Sequence, residues 1–222
     1  MKKKAFTLAE VLITLGIIGI VAAMTIPTLM TKYAKQRTET QLVKFYSMMN
    51  QTLRMSVAEN GDPEGWVVAG KTYTYDENVE FLKTYIFPYM KHLGYKQWPD
   101  QENENNKLKV VTTLIDGSVM TFRINQDGGD IAYYTDEKWL TDTTNIQRHR
   151  FNFQFAKKGM NDNINSLNYI EPYIYRWDGT RENLINGSAY GCSKNISHSS
   201  AYAYCTKLIQ MNSWKIPSDY PW

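Results

Sequence analysis

An unbroken apolar run near the amino terminus dominates the hydrophobic pattern of the chain. It extends from Val11 to Met30 and contains 20 consecutive uncharged residues, mostly Leu, Ile, Val, Ala and Gly. A helix of that length covers about 30 Å, which is the thickness of a bilayer core. The sequence therefore predicts one membrane-spanning helix, to which we assign residues 6–30.

The pattern becomes amphipathic after this run. Apolar residues recur at steps of three and four: Leu42, Phe45, Tyr46, Met49, Leu53 and Val57. Polar residues fill the other face: Lys44, Ser47, Asn50 and Arg54. This spacing is typical of a helix that buries one stripe, and the turn-forming sequence at 60–63 predicts its end near Glu59. We therefore assign 31–59 to a stem helix.

The remainder of the chain, 60–222, has the pattern of a β-rich globular head. Its clearest signal is a pair of runs rich in β-branched residues, 107–115 and 118–125, separated by Asp116-Gly117. An Asp-Gly pair between two such runs is a strong hairpin signal. We therefore predict two antiparallel strands in this region.

Weaker signals complete the head. Strict alternation at 151–155 predicts a third strand, and 169–177 predicts a fourth, with Pro172 indicating an edge or an irregular start. The other predicted elements are a short strand at 66–75, a helix at 77–92 broken by Pro88, a loop at 97–107, a turn at 127–130 and a helix at 201–211. A long helix followed by antiparallel strands is an α+β arrangement.

Composition and charge narrow the function class. Aromatic residues reach 14%, which argues for a packed or interface-forming body and against a disordered chain. The formal net charge of +3 is supplied by Lys2, Lys3 and Lys4, so the charges of the remaining chain balance. A general nucleic-acid binder would show a basic excess across its body. We therefore expect no nucleic-acid partner.

One carboxylate lies inside the apolar segment. Glu10 follows Phe6-Thr7-Leu8-Ala9 and directly precedes the uncharged run. A carboxylate at the centre of a bilayer costs about 2.5–3.5 kcal/mol on insertion scales, and less near the interface. A segment that needed only to insert would do better without it, so we expect Glu10 to have a functional partner.

The residues around Glu10 resemble a known processing signal. Three lysines, Ala5, Phe6 and Glu10, followed by the apolar run, resemble the signal of type IV pilins and type II secretion pseudopilins. The resemblance implies that a prepilin peptidase cuts between Ala5 and Phe6 and methylates the new amino group of Phe6. The family's leader usually ends in glycine, whereas this one ends in another small residue, Ala5.

The resemblance also implies a role for the carboxylate of Glu10. In the family, this carboxylate meets the Phe6 amine of a neighbouring subunit inside a filament. A buried ammonium and a buried carboxylate each carry a large desolvation cost unless they are paired. The pair would therefore set the stagger between subunits, because any other stagger leaves the charges unmatched.

The same resemblance gives an expectation for the whole chain. It implies a cytoplasmic leader peptide at 1–5 and a single-pass protein of the bacterial inner membrane, with its head outside the cytoplasm and the stem packed on one sheet face. The implied function is that of a structural, non-enzymatic subunit: a pseudopilin or minor pilin of a type II secretion or type IV pilus-like filament. Its partners would be the prepilin peptidase, other pilin-like subunits and the inner-membrane assembly machinery.

Other interpretations of the amino-terminal segment stay open at this point. An ordinary secretory signal would be cleaved after Val21-Ala22-Ala23, although Glu10 within its apolar region argues against it. A plain uncleaved anchor is a second alternative. Pro27 removes a backbone donor and is expected to kink the helix; alternatively, it ends the span.

The carboxy-terminal region contains both cysteines. Cys192 and Cys205 enclose twelve residues. The stretch 190–222 resembles the ending of pilin-like proteins from some bacterial genomes, and pilins often close their carboxy-terminal loop with a disulfide. The resemblance therefore implies a Cys192–Cys205 disulfide, which on the chain-entropy model contributes about 3 kcal/mol. Two separate buried thiols are the alternative.

The sequence offers little for catalysis or for a metal site. The three histidines are widely separated: His92, His149 and His198. None has zinc spacing with a cysteine or an HExxH arrangement, so we expect no catalytic residues. Some major pseudopilins bind calcium through loop carboxylates, and the comparable stretch 155–179 offers three: Asp162, Glu171 and Asp178. Calcium takes about six to eight oxygens, so we expect no metal or other cofactor, with calcium as the one candidate.

Two rival functions depend on features of the head. A filament-tip subunit for DNA uptake or adhesion would need an exposed basic or aromatic patch there. A membrane-anchored periplasmic enzyme would need a polar cleft with convergent titratable groups. The balanced charge of the head does not support the first, and the scattered histidines argue against the second.

Overall fold

The structure is a computed structural model that describes residues 7–67, 74–99, 108–125, 128–155 and 169–222. The chain divides into two compact units, Met1–Thr38 and Glu39–Trp222.

A single long helix, α1, accounts for the described part of the first unit. It extends over 53 residues, Leu8–Asn60, so the predicted membrane span and stem form one helix. By length and composition it is able to cross a membrane. It ends one residue beyond the predicted end and is followed by Gly61 at φ 75°. Glycine adopts this left-handed conformation without a Cβ penalty, which is why it commonly ends helices.

A six-stranded antiparallel sheet forms the centre of the second unit, with its strands in chain order. The strands are β1 His92–Pro99, β2 Leu108–Leu114, β3 Val119–Asn125, β4 Gly128–Tyr134, β5 Arg150–Phe155 and β6 Ile170–Pro172. The other α-helices among the described residues are α2 Tyr75–Tyr85, α3 Arg181–Asn186 and α4 Cys205–Met211. Neighbouring strands of the sheet are therefore also consecutive in the chain.

The part of α1 in the second unit packs on one face of this sheet. The ring of Phe45 lies 4.4 Å from that of Tyr133 and 5.0 Å from that of Phe153, measured between centroids. The stripe predicted from the periodicity is buried at four positions: Leu42, Phe45, Met49 and Leu53. The predicted α+β, pilin-like architecture, a long helix packed on an antiparallel sheet, is confirmed.

The opposite face of the sheet carries a smaller apolar cluster. Its buried members are Val111, Val119, Tyr134 and Leu140, and Trp98 and Trp139 pack against them. Both faces of the sheet are therefore partly covered, and the neighbouring residues Val110 and Val111 of β2, which point to opposite faces, are both buried.

The strongest sequence signals in the head match the structure. Strands β2 and β3 form the predicted hairpin around Asp116-Gly117, where Gly117 has φ 81°. Strand β5 coincides with the alternating segment predicted as a third strand. The fourth strand shortens to β6, which lies at the edge of the sheet as Pro172 indicated.

Other predicted elements were wrong in part. The helix predicted over 77–92 ends at Tyr85, ahead of Pro88, and His92 already begins β1. The predicted loop at 97–107 begins inside β1, and its residues 100–107 lie outside the described part of the chain. The helix predicted at 201–211 begins only at Cys205.

The segments predicted as a strand at 66–75 and as a turn at 127–130 also differ. Trp66 follows a short 3-10 turn and Tyr75 begins α2, whereas 68–73 lie outside the described residues. Strand β4 begins at Gly128, so most of the predicted turn is strand. A Cβ on Gly129 would lie 2.6 Å from Cγ1 of Ile124. Close packing against β3 therefore requires glycine at this position.

Candidate assembly helix and the contacts that hold its stem

The first turn of α1 is closed by Thr7 and Glu10. Oε2 of Glu10 accepts hydrogen bonds from the backbone N–H and the hydroxyl of Thr7, both at 2.8 Å. The hydroxyl of Thr7 in turn accepts from the backbone N–H of Glu10 at 3.3 Å. This reciprocal pair is a capping box, which satisfies donors that a helix start leaves without partners. The Thr-x-x-Glu spacing in the sequence could have revealed it, but Thr7 was not among the predicted site residues.

The predicted cleavage site lies just ahead of this turn. Ala5 and Phe6 lie outside the described residues, so cleavage and methylation there stay predictions. Glu10 occupies the third position of α1. Its carboxylate therefore has local hydrogen-bond partners within its own chain, which reduces the cost of placing it in an apolar environment.

The following part of α1 presents apolar side chains around its whole circumference. Large exposed residues in this stretch include Leu12, Ile13, Leu15, Ile17, Ile18, Ile20, Met24, Ile26, Leu29 and Met30. A helix that is apolar on all sides needs an apolar environment, such as a lipid bilayer or other helices. Pro27 lies inside this helix, so the helix does not end there; the predicted kink stays a prediction.

The beginning of the second unit is anchored by Glu39. One oxygen of its carboxylate lies 2.9 Å from Nζ of Lys215, and the other accepts the backbone N–H of Ile216 at 2.9 Å. The side chain of Glu39 is only 11% exposed, whereas that of Lys215 is 69% exposed. These contacts hold the carboxy-terminal tail against α1.

A second set of contacts joins α1, β6 and α4 through Glu171. One oxygen of the buried Glu171 accepts from the hydroxyl of Tyr46 at 2.9 Å, and the other accepts from Nε2 of Gln210 at 3.1 Å. Nζ of Lys207 donates to the amide oxygen of Gln210 at 2.7 Å. The ring of Tyr46 also packs on Trp214, with centroids 4.9 Å apart. Glu171 therefore acts as a structural residue.

Asn50 joins the stem to the edge of the sheet, and its predicted placement on the polar face was wrong. The residue is only 4% exposed. Its amide oxygen accepts the backbone N–H of Ile170 at 3.2 Å, and its Nδ2 donates to the carbonyl of Ile170 at 3.2 Å and to that of Tyr46 at 3.0 Å. The side chain thus satisfies both backbone groups of a buried edge-strand residue, as a further strand would.

The hairpin tip provides another contact with the stem. Nζ of Lys44 lies 2.9 Å from the carboxylate of Asp116. Burial raises the pKa of Asp116, but hydrogen bonds from Ser118 and Lys44 outweigh this effect and hold the pKa below its usual value. The carboxylate is therefore ionised near neutral pH and attracts Lys44.

The disulfide implied by the resemblance is present. Cys192 and Cys205 are bonded, with their Cα atoms 4.8 Å apart. This distance lies within the range of about 4.4–6.8 Å that disulfides permit. Both cysteines are buried, and the bond closes the residues between them into a loop, the cysteine-closed loop.

The titratable residues considered for a metal do not converge in the described part of the chain, where no group of three or more His, Cys, Asp or Glu side chains could hold a metal ion. The carboxylate of Asp178 instead accepts from the backbone and hydroxyl of Thr180, at 2.8 Å and 2.7 Å. Glu171 is occupied as described above, and Asp162 lies outside the described residues.

Two comparisons with known families cover nearly the whole chain. Residues 28–222 match a family described as Family of unknown function (DUF6613). The chain belongs to this family. Residues 1–26 match the prokaryotic N-terminal methylation motif, so the amino terminus carries a type IV pilin-like prepilin signal, as the resemblance indicated. No curated protein and no solved structure matches the chain.

Together, the motif and α1 give a coarse assignment. The motif implies processing by a prepilin peptidase and assembly with other pilin subunits. One apolar helix near the amino terminus is consistent with a single-pass, membrane-anchored protein. The signature and the fold are those of a pilin-like structural subunit.

Proposed function

We propose that this protein is a pseudopilin or minor pilin of a type II secretion or type IV pilus-like filament. The methylation motif at 1–26 carries the proposal. We assign 1–5 to the leader peptide, 6–30 to the membrane and polymerisation helix, 31–59 to the stem and 60–222 to the head. Before assembly the chain resides in the bacterial inner membrane, with its head outside the cytoplasm.

Processing creates the group that Glu10 recognises. The prepilin peptidase cuts between Ala5 and Phe6 and methylates the new amine of Phe6. Its product enters the filament with the help of the inner-membrane assembly machinery, beside other pilin-like subunits. Cleavage therefore converts a membrane-anchored precursor into a subunit that is able to polymerise.

The geometry of the first turn supports a role for Glu10 between subunits. The described contacts with Thr7 use Oε2, so Oε1 is the oxygen that a neighbour's Phe6 amine approaches. An ammonium buried without its partner is destabilised by about 3–5 kcal/mol. A loss of that size at every subunit contact is sufficient to suppress polymerisation.

The contacts of the stem serve the same function. Glu39 bonds to the carboxy-terminal tail at Ile216, and Asn50 and Tyr46 bond to adjacent residues of β6. A structural subunit needs its head fixed on the helix segment that carries it, because its surface must recur at a constant position along the filament. This use of buried polar groups favours a structural role over an enzymatic one.

The test separates the charge of Glu10 from its capping role. Glu10→Ala removes both, Glu10→Gln keeps a side chain able to close the capping box, and Thr7→Ala removes the cap but keeps the charge. We expect both Glu10 variants to enter the membrane but to form few or no filaments in cells that contain the assembly machinery. Thr7→Ala should assemble.

Electron microscopy and cross-linking report filaments, and membrane fractionation is the control. Intact mass of the wild-type protein should show loss of residues 1–5 and addition of one methyl group. Normal filaments from Glu10→Gln would refute the charge pairing. An unprocessed wild-type mass, or cleavage after Ala23, would refute the pilin-like function itself.

A further inference from the structure

A short basic segment follows the apolar part of α1. It contains Lys32, Lys35 and Arg37, and no acidic residue lies between Glu10 and Glu39. All three basic residues belong to the continuous helix Leu8–Asn60. The charges that come directly after the apolar run are therefore all positive.

Two of these basic side chains are available to an external anion. Lys32 and Arg37 are exposed. Within the described part of the chain, the side chain of neither residue has an ion-pair partner. Lys35 interacts within the chain and adds to the positive field of the segment. Exposed lysine and arginine side chains bind phosphate oxygens through charge-assisted hydrogen bonds.

The distance of these residues from the apolar run places them at the membrane surface. Along the helix axis, Lys32 lies about 3 Å beyond Met30, and Arg37 lies about 10 Å beyond it. The polar layer on each side of the hydrocarbon core is about 5–8 Å thick. Side chains on a helix lean towards its amino terminus, which is here the direction of the membrane. The guanidinium of Arg37 therefore reaches back into the headgroup layer.

An exposed aromatic side chain lies at the same level. Tyr33 is 70% exposed, and tyrosine is enriched where a bilayer meets water, because its ring is apolar and its hydroxyl is polar. Arg37 follows Tyr33 by four residues, so the two lie on the same face of α1. Lys32 lies about 100° around the axis from Tyr33. We call Lys32, Tyr33 and Arg37 the basic collar.

The side of the membrane on which the basic collar lies requires an explanation. Lysine and arginine beside a membrane span are ordinarily in excess on the cytoplasmic side. With the head outside the cytoplasm, the basic collar lies on the opposite side, where its charges do not help to set the orientation of the span. Its two exposed cations therefore have another use.

We propose that the basic collar binds negatively charged phospholipid headgroups in the leaflet that faces the head. Lys32 and Arg37 are separated by about 7.5 Å along the axis and by about 140° around it, so each contacts the phosphate of a different lipid. The proposal rests on the part of the proposed function that places 6–30 in the membrane. It does not rest on cleavage or polymerisation.

An acidic protein surface fits the basic collar less well. While the helix spans the bilayer, the basic collar lies in the headgroup layer, and a neighbouring head would have to enter that layer to reach it. Attraction to lipid needs no shaped pocket, because each lysine or arginine near an anionic membrane surface contributes about fivefold in affinity. Two such charges together give at least about tenfold.

The test uses the full chain in a mild detergent with equal amounts of dioleoylphosphatidylglycerol and dioleoylphosphatidylcholine. These lipids share their acyl chains and their phosphate but differ in net headgroup charge. Native mass spectrometry counts the molecules of each lipid that the protein retains. We expect phosphatidylglycerol to be retained over phosphatidylcholine by about tenfold or more.

Two double variants locate the preference. Lys32→Gln combined with Arg37→Gln should reduce it to less than about twofold, because both charges of the basic collar are lost. Arg176→Gln combined with Lys194→Gln removes the same charges from exposed positions on the head and should leave the preference unchanged. Resistance of each protein to carbonate extraction from phosphatidylcholine vesicles reports insertion of the span.

Each other outcome overturns the proposal. An inserted wild type without a headgroup preference would leave the basic collar to an acidic surface of a neighbouring subunit, and an unchanged preference in the Lys32 and Arg37 double variant would place the binding elsewhere. An equal loss in the head control would indicate a general charge effect. Displacement of phosphatidylglycerol by millimolar inorganic phosphate would indicate a site for a free anion.

The extraction assay separates failure of this proposal from failure of the proposed function. Extraction of the wild type by carbonate would overturn both the membrane assignment and the lipid site. The lipid results listed above for an inserted chain would overturn the lipid site alone, because a pilin-like subunit does not require a headgroup preference.

Discussion

Asn50→Ala provides the most direct test of how the stem is attached to the head. The substitution removes the side-chain amide that accepts the N–H of Ile170 and donates to its carbonyl, and Ile170 has no exposed surface. A buried backbone group left without a partner costs about 1–3 kcal/mol. Alanine recovers part of this loss, because its helix propensity exceeds that of asparagine by about 0.6 kcal/mol.

The expected net effect is a loss of about 2–4 kcal/mol in the free energy of unfolding of the head. Urea titration of the full chain in mild detergent, followed by tryptophan fluorescence, measures this quantity. Gln51→Ala is the matched control, since it removes an exposed amide from the neighbouring position of α1. It should change the stability by less than about 0.5 kcal/mol.

Asn50→Asp distinguishes lost hydrogen bonds from lost volume. An ionised aspartate keeps an acceptor for the N–H of Ile170 but places a second acceptor against its carbonyl. A protonated aspartic acid supplies one donor and one acceptor, so the deficit relative to wild type should shrink as the pH falls. Two results would contradict this reasoning: Asn50→Ala being no less stable than Gln51→Ala, or a stability deficit of Asn50→Asp that does not depend on pH. In either case the hydrogen bonds between Asn50 and Ile170 do not hold the stem on the head.

Two further predictions concern the half-buried ring of His149 and the disulfide between Cys192 and Cys205. Burial, followed by Arg148 and Lys138, lowers the pKa of His149 to about 4, so stability is present above the unfolded pKa of about 6.5 and is lost as the pH falls towards about 4. The free energy of unfolding, measured by urea titration, should fall by on the order of 1 kcal/mol between neutral and mildly acidic pH, allowing for the partial exposure of His149. His149→Gln should flatten this pH dependence. An equal slope of stability against pH in both proteins would refute the prediction. Replacing Cys192 and Cys205 by alanine should cost about 2–4 kcal/mol in the same titration, with the chemically reduced wild type as the comparison, and a double variant as stable as the oxidised wild type would contradict this.

Local patterns predicted the elements whose residues follow one period throughout. The buried stripe of α1 and the hairpin around Asp116-Gly117 are of this kind, because the side chains that define the period are the ones that pack. Strand β4 escaped prediction since it begins with two glycines, of which Gly128 has φ 127° and Gly129 is selected by close contact with β3. That requirement comes from tertiary packing and has the same signature as a turn.

The functional and structural residues divide in the same way between those with a local sequence signal and those that depend on tertiary packing. Ala5, Phe6 and Glu10 were recognisable because the processing signal is continuous in sequence. Asn50 was assigned to the wrong face because its partner, Ile170, lies 120 residues away. A polar residue on the edge of an apolar stripe is ordinarily solvated, and only the position of β6 reveals that this one is buried.

The two units of the chain differ in what a substitution should affect. In the described part of the first unit, the polar contacts of Glu10 are with Thr7, so changes there leave the core of the head intact and act on assembly. In the second unit, Asn50 and Glu39 are buried and bonded within the head, so changes there act on folding. A Glu10 variant should therefore retain the urea midpoint of the wild type even where filaments are lost. An Asn50 variant should lose stability in the monomer, before any filament forms. If Glu10→Gln lowered the stability of the head as Asn50→Ala does, the first turn of α1 would be part of the folded head, and a role restricted to assembly would be excluded.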